Sequence, residues 1–294
     1  MDSAQKPDNL PDNSGLLAAV QLQPRIGDVE YNLSVIEQTL SSLEFKEQNI
    51  VVYPEMATTG YFFEDVNHLK TFAERVPEGP TTEHLISLAR KFHTYLVVGL
   101  PEIDDGLLFN TVAVVGPEGF IAKYRKIHLW SEEKLFFEPG NLGLVLVDLP
   151  FCKMGLMICY DLWFPEQIRV LRMMGADVVA VPAALVWNDT PAHVKRDYYM
   201  ANVVSMASAH LNQTYLALAS QVGKYGDRWL FGSSAIVSPY GWLIDGPAGD
   251  QEPEVLQSEV DFNLSKRIRG WGSMDHFDRD RRLDVYDEFL GVDI

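Results

Sequence analysis

Two short runs, GLMIC at residues 155–159 and DVVAV at 177–181, are apolar without polar alternation. A strand with one wetted face alternates polar and apolar residues, so strands like these must be covered on both faces, as in a helix-flanked sheet. Between them Ile168, Leu171 and Met174 recur at helical spacing behind Pro165 and Glu166, which suit a helix first turn. The same rhythm fills the first half of the chain. Residues 16–22 read as strand, Leu33, Ile36, Leu40 and Leu43 mark one helix face, and residues 49–53 form the next strand. Leu85, Leu88, Ala89 and Phe92 mark a second helix that Thr81 or Thr82 can cap, followed by strand at 95–100. Runs at 108–115 and 120–124 flank GPEG and predict a hairpin, so the sheet is mixed. Further strands are expected at 145–149, 154–158, 214–220 and 234–238. The fold class is α/β, a mixed sheet or sheet pair covered by helices.

Residues 1–14 read as a flexible arm, 15–262 as one domain without a break, and 263–294 as an extension. The extension reads either as a solvated charged tail or as a segment packed at a subunit interface, and the second is expected because Trp271, Phe277, Tyr286 and Phe289 are costly to expose. With 24 Lys and Arg against 41 Asp and Glu, the net charge of −17 argues against nucleic acid or an anionic membrane as partner. The longest apolar stretch, residues 178–187, contains Pro182 and falls short of the roughly 20 residues a membrane span needs. Two cysteines cannot build a disulfide framework, and the first residues lack the apolar centre of a secretory signal, so a reducing cytoplasm is expected. Without Cys or His clusters at ligand spacing, neither metal nor cofactor is expected.

Three polar residues stand where strands end. Cys159 closes KMGLMIC ahead of the helix at Pro165, whose N-terminus would favour a thiolate. Glu55 ends VVYPE, where Pro54 cannot continue a ladder. Lys126 follows GFIAKYR, and because alternate side chains face opposite ways along Lys123, Arg125 and Lys126, at least one of these cations is expected to point inward. A carboxylate to take a proton, a thiol to attack a carbonyl and an ammonium to hold an oxyanion form a kit for acyl transfer. Cys152 has no such company and reads as structural, as do His128 and His210. Tyr61, Trp130, Trp163 and Trp187 either line an apolar substrate pocket or fill the core.

The blocks VVYPEMATTGY, KYRKIHLW and GLMICYDLWFPE, in this order, resemble the nitrilase superfamily of carbon–nitrogen hydrolases, in its amidase branches. AVQLQPRIGDVEYNL, EKLFFEPG, GADVVAVPAA and SAHLNQTYLALAS extend the likeness over most of residues 15–262. The resemblance implies an α-β-β-α sandwich that forms homodimers or larger homo-oligomers. It also implies Glu55 as general base and acid, Lys126 and the backbone N–H of Tyr160 as oxyanion donors, and Cys159 as nucleophile. A further catalytic glutamate falls on Glu133, with Glu138 the weaker candidate. Leu162 and Trp163 stand where carbamoyl-amino-acid hydrolases carry arginines, so a substrate with an adjacent α-carboxylate is disfavoured unless Arg228, Arg196 or Lys195 supplies the cation. The leading expectation is a cofactor-free amidase acting on a small linear amide or N-carbamoyl amine. A nitrilase, an acyltransferase and a noncatalytic amide-binding protein are the alternatives.

Overall fold

The computed structural model describes residues 10–188, 197–269 and 274–290, with residues 287–290 described by backbone alone. Strands β1 (Ser14–Gln21), β2 (Asn49–Val52) and β3 (Tyr95–Asp104) run parallel, with helices α1 (Val29–Ser41), α2 (Val66–Lys70) and α3 (Pro80–Phe92) in their connections. Antiparallel strands β4 (Leu107–Gly116) and β5 (Gly119–Arg125) extend this sheet, the pair being the expected hairpin. The second sheet repeats the plan. Edge strand β6 (Leu146–Asp148) lies antiparallel to β7 (Lys153–Leu156), and β7, β8 (Val178–Ala183) and β9 (Tyr215–Ser220) are parallel, linked through α4 (Pro165–Met174) and α5 (Met200–Asn212). After a separate ribbon of β10 (Val222–Tyr225) and β11 (Arg228–Phe231), antiparallel β12 (Ala235–Val237) and β13 (Leu243–Asp245) complete it. Strand β14 (Glu254–Asp261) returns to the first sheet beside β1, followed by α6 (Leu264–Arg267) and α7 (Leu283–Leu290). The sequence shows no repeat although the topology does, because a buried parallel strand needs only an apolar run and not a particular one.

Alternation along the strands sorts the side chains. Leu17, Ala19, Ile50, Val52 and Val97 of the first sheet meet Val179, Val181, Leu216 and Leu218 of the second in one core. Their neighbours Leu16, Ala18, Val20, Val51, Leu96 and Val98 turn the other way, onto Leu33, Ile36 and Leu40 of α1 and Leu85, Leu88 and Ala89 of α3. On the far side of the second sheet, Ile168 and Leu171 of α4 join the core. The layers are therefore helix, sheet, sheet, helix, the α-β-β-α sandwich that the resemblance implied.

Some local expectations shift. Neither Thr81 nor Thr82 caps α3: the helix starts at Pro80 behind Gly79, and the Thr81 N–H is met by Glu74 Oε2 at 2.9 Å. Met174 is 44% exposed, because α4 ends there and turns it away from the sheet. The extension touches the domain where Asp278 pairs with Arg172 of α4 at 3.2 Å. Tyr286 is exposed and Phe277 half-buried, while Trp271 and the Phe289 side chain lie outside the described residues. No described helix is long and apolar enough to cross a membrane.

Candidate active site

Glu55 follows β2 and is fully buried. The ladder stops at Pro54, and the chain passes so close over β3 that a Cβ on Gly99 would sit 2.6 Å from Glu55 Cα, which is why that position is glycine. From the end of β9, Gln221 Nε2 donates to the Glu55 carbonyl at 2.7 Å and so ties the two sheets together here. Lys126 leaves β5 with its N–H bonded to the Asn110 carbonyl at 2.9 Å. Its Nζ donates to Glu55 Oε1 and to Glu133 Oε1, each at 2.7 Å. Glu133 stands on a 3₁₀ turn, Ser131–Leu135, and is steadied by the Trp130 N–H on Oε2 at 2.7 Å and the Tyr61 hydroxyl on Oε1 at 2.9 Å.

Asn110 Nδ2 donates to both carboxylates, at 2.6 Å to Glu55 and 3.1 Å to Glu133. Each Oε1 therefore faces the ammonium and the amide, while Glu55 Oε2 is buried with no partner among the described residues. It is the oxygen left to exchange a proton. Sequence reasoning missed Asn110, although an amide inside the apolar strand LLFNTVAVVG is a visible signal. Glu138 is exposed, which leaves Glu133 as the glutamate in the cluster.

Cys159 lies just beyond β7 in the left-handed region, φ 47°. Such a conformation costs a non-glycine residue roughly 1 to 3 kcal/mol and is kept where surrounding structure holds it. Its sulfur is buried, 3.9 Å from the Ala184 carbonyl. The cysteine opens a 3₁₀ turn, Cys159–Trp163, and α4 begins at Pro165, six residues on. Burial pushes the thiol well up, Glu55 and Glu133 add to this, and Lys126 opposes it. For Lys126, burial favours the neutral amine, but Glu133, Glu55 and Cys159 together outweigh it and keep the ammonium. Glu55 is pushed up to about 7 by burial, with Lys126 pulling it down and Glu133 raising it. The four groups thus share one buried electrostatic site.

A cavity of about 230 Å³ reaches Glu133 and is walled by Tyr61, Phe62, Trp130, Phe136, Val186 and Arg228, among others. Tyr61 and Trp130 therefore face it. Trp163 and Trp187 do not line it. Trp163 packs against the core, and Trp187 sits in an aromatic group with Trp229, ring centroids 5.2 Å apart, and Tyr199 at 6.1 Å. Val186 pairs with Leu230 in an extended bridge, so consecutive side chains point opposite ways and Val186 takes the cavity side. Of the candidate cations, Arg228 reaches the cavity, paired with Glu132 at 2.8 Å; Lys195 and Arg196 lie outside the described residues. Among the described residues no three His, Cys, Asp or Glu side chains are grouped to hold a metal ion.

Residues 16–269 match the family model described as carbon-nitrogen hydrolase. A protein named nitrilase from Pyrococcus abyssi (strain GE5 / Orsay) is 39% identical over 270 residues, covering 92% of this chain and 98% of its own. An N-carbamoylputrescine amidase of Solanum lycopersicum is 30% identical over 283 residues, covering 90% and 92%. Among solved structures, a carbon-nitrogen hydrolase from Helicobacter pylori G27 matches with a TM-score of 0.80 at 26% identity, covering 96% of this chain and 99% of that one. The chain belongs to the carbon–nitrogen hydrolase family and is a hydrolase of the nitrilase superfamily.

Proposed function

We propose that the protein cleaves the C–N bond of a small linear amide or N-carbamoyl amine through a thioester on Cys159. The observation that carries this reading is Lys126 Nζ held at 2.7 Å by two buried carboxylates, one of which keeps an unpartnered oxygen, in the same site as a buried thiol. The resting sulfur is a thiol, so its proton must leave as the S–C bond forms. A carboxyl raised to about 7 is better matched to that transfer than one at its ordinary 4.5. Glu55 takes the proton, the sulfur adds to the carbonyl carbon, and the carbonyl electrons move onto oxygen, which Lys126 Nζ and the Tyr160 N–H stabilise. Collapse expels ammonia, which carries away the Glu55 proton. Water then gives a proton to Glu55 and adds to the thioester, and the acid leaves as the thiol is restored. Glu133 holds the ammonium beside the reacting oxygen.

Because Glu55 must be ionised to act as base, kcat/KM is expected to fall as pH drops through about 7. A profile flat down to pH 5 would contradict the assignment. The function itself is tested by ammonia release from aliphatic, ω-amino, carbamoyl and dicarboxylic amides, each beside its matching nitrile. Faster turnover of the amides is expected. The archaeal relative named nitrilase favours the second reading, hydrolysis of a nitrile to acid and ammonia, and preference for the nitriles would establish it. We also propose a homo-oligomer. Val170 and Met173 on α4 and Val203 and Leu211 on α5 are 41%, 50%, 43% and 51% exposed, an apolar face suited to a second copy. A reducing compartment suits the free thiol.

A further inference from the structure

The proposed reaction requires Lys126 and Cys159 to hold a fixed separation, yet they stand on different sheets. Lys126 ends β5 of the first sheet and Cys159 follows β7 of the second. No ladder joins those strands, so something else must set the distance from ammonium to sulfur. Among the described residues, every hydrogen bond between segment 124–128 and segment 158–161 ends on Asp161, a fully buried carboxylate that the mechanism does not otherwise use.

Its four bonds divide evenly. Oδ2 accepts from the Tyr124 hydroxyl at 2.7 Å and from the Ile158 N–H at 2.9 Å. Oδ1 accepts from the His128 N–H at 3.1 Å and faces His128 Nδ1 at 2.8 Å. Tyr124 and His128 flank Lys126 two residues away on either side, and Ile158 immediately precedes Cys159. One carboxylate thus grips both sides of the lysine and the entry to the left-handed turn that presents the sulfur. The donors are themselves braced: Gln167 Nε2 of α4 donates to the Tyr124 hydroxyl at 2.9 Å, and the His128 ring stacks on Phe164 with centroids 3.7 Å apart and planes 8° from parallel. A carboxylate offers about four acceptor positions, and all are taken.

We propose that Asp161 is the positioning residue of the oxyanion pocket, setting the separation of Lys126 Nζ and Cys159 Sγ through Tyr124, His128 and the Ile158 N–H. The inference rests on the thioester reading above. Asp161→Asn keeps the shape but leaves one acceptor oxygen where two served, so the turn and the lysine segment lose their common anchor.

The test compares two reactions of the same sulfur in the full-length protein. Acylation by an amide substrate builds an oxyanion and needs the pocket. Methyl methanethiosulfonate needs the sulfur and an acceptor for its proton but no oxyanion donor: Glu55 takes the thiol proton, an S–S bond forms, methanesulfinate leaves, and no oxyanion develops on carbon. In Asp161→Asn the acylation rate constant is expected to fall on the order of 100-fold, the loss typical of a misplaced oxyanion donor. Modification of Cys159, followed on its own peptide by mass spectrometry, and KM should each stay within about threefold. Tyr124→Phe, which removes one of the four bonds, should lower acylation about tenfold with the same selectivity, and it decides the question if Asp161→Asn does not fold. Parallel loss of both reactions would reduce Asp161 to a structural role and overturn the proposal, as would unchanged acylation. A wild-type protein that never acylates would overturn the thioester reading and this one together, whereas acylation that is equal in wild type and variants overturns this one alone.

Discussion

Cys159→Ala will fold, bind an amide and release no ammonia, with turnover reduced by at least ~10⁴-fold, the scale seen when a nucleophile is deleted from a catalytic unit. The fold should tolerate the change. The sulfur's one described hydrogen-bond contact is 3.9 Å from the Ala184 carbonyl, and alanine bears the left-handed backbone at φ 47° no worse than cysteine does. Only a small buried volume is lost, so destabilisation should stay near about 1 kcal/mol. Calorimetric binding of a slow amide beside an ammonia assay separates these outcomes. Ammonia release near the wild-type rate would end the nucleophile assignment.

Lys126→Met should lose both activity and stability. Removing an oxyanion donor typically costs ~10²- to 10³-fold in turnover. Here the same change strips the shared cation from two buried carboxylates whose Oε1 atoms both contact it at 2.7 Å. Breaking one side of a buried ion pair costs about 3 to 5 kcal/mol, unless the remaining groups discharge by binding protons. They can do so at low pH, which fixes the sign. Glu55 already stands raised to about 7 by burial, and without the ammonium it rises further. A carboxyl whose folded pKa exceeds its unfolded value stabilises the protein below the unfolded value and surrenders that stability as pH climbs through the folded one. The variant's Tm should therefore drop more steeply than the wild type's between pH 5 and 8. Equal slopes would mean that Lys126 does not carry the charge balance of the site.

The catalytic candidates were legible because each marks a strand's end. Glu55 behind a proline, Lys126 after a basic strand and Cys159 after an unalternating run all stand where a ladder must stop, and ends of buried strands collect at one edge of a layered fold. Glu133 came from the family resemblance, since an acidic residue in a polar turn carries no signal of its own. Asn110 and Asp161 needed coordinates. Each earns its place from partners on distant segments, Asn110 from Glu55 and Glu133 and Asp161 from Tyr124 and His128, which no local pattern encodes. The aromatic residues were half legible: bulk says that Trp163 and Trp187 will be covered, but which face of the chain they take depends on pairings such as Val186 with Leu230. The strands missed, β10, β11, β13 and β14, are short or carry charged residues that dilute the apolar pattern. Sheet order and register settle those, and neither is local.

The thioester is the claim on which the rest depends, and it can be weighed. Wild-type protein mixed with a turned-over amide, quenched in acid within the first turnovers and digested, should carry the acyl group on the peptide holding Cys159, at a mass equal to the amide minus ammonia. An unmodified Cys159 peptide during active turnover, or the acyl group on Cys152 instead, would contradict it.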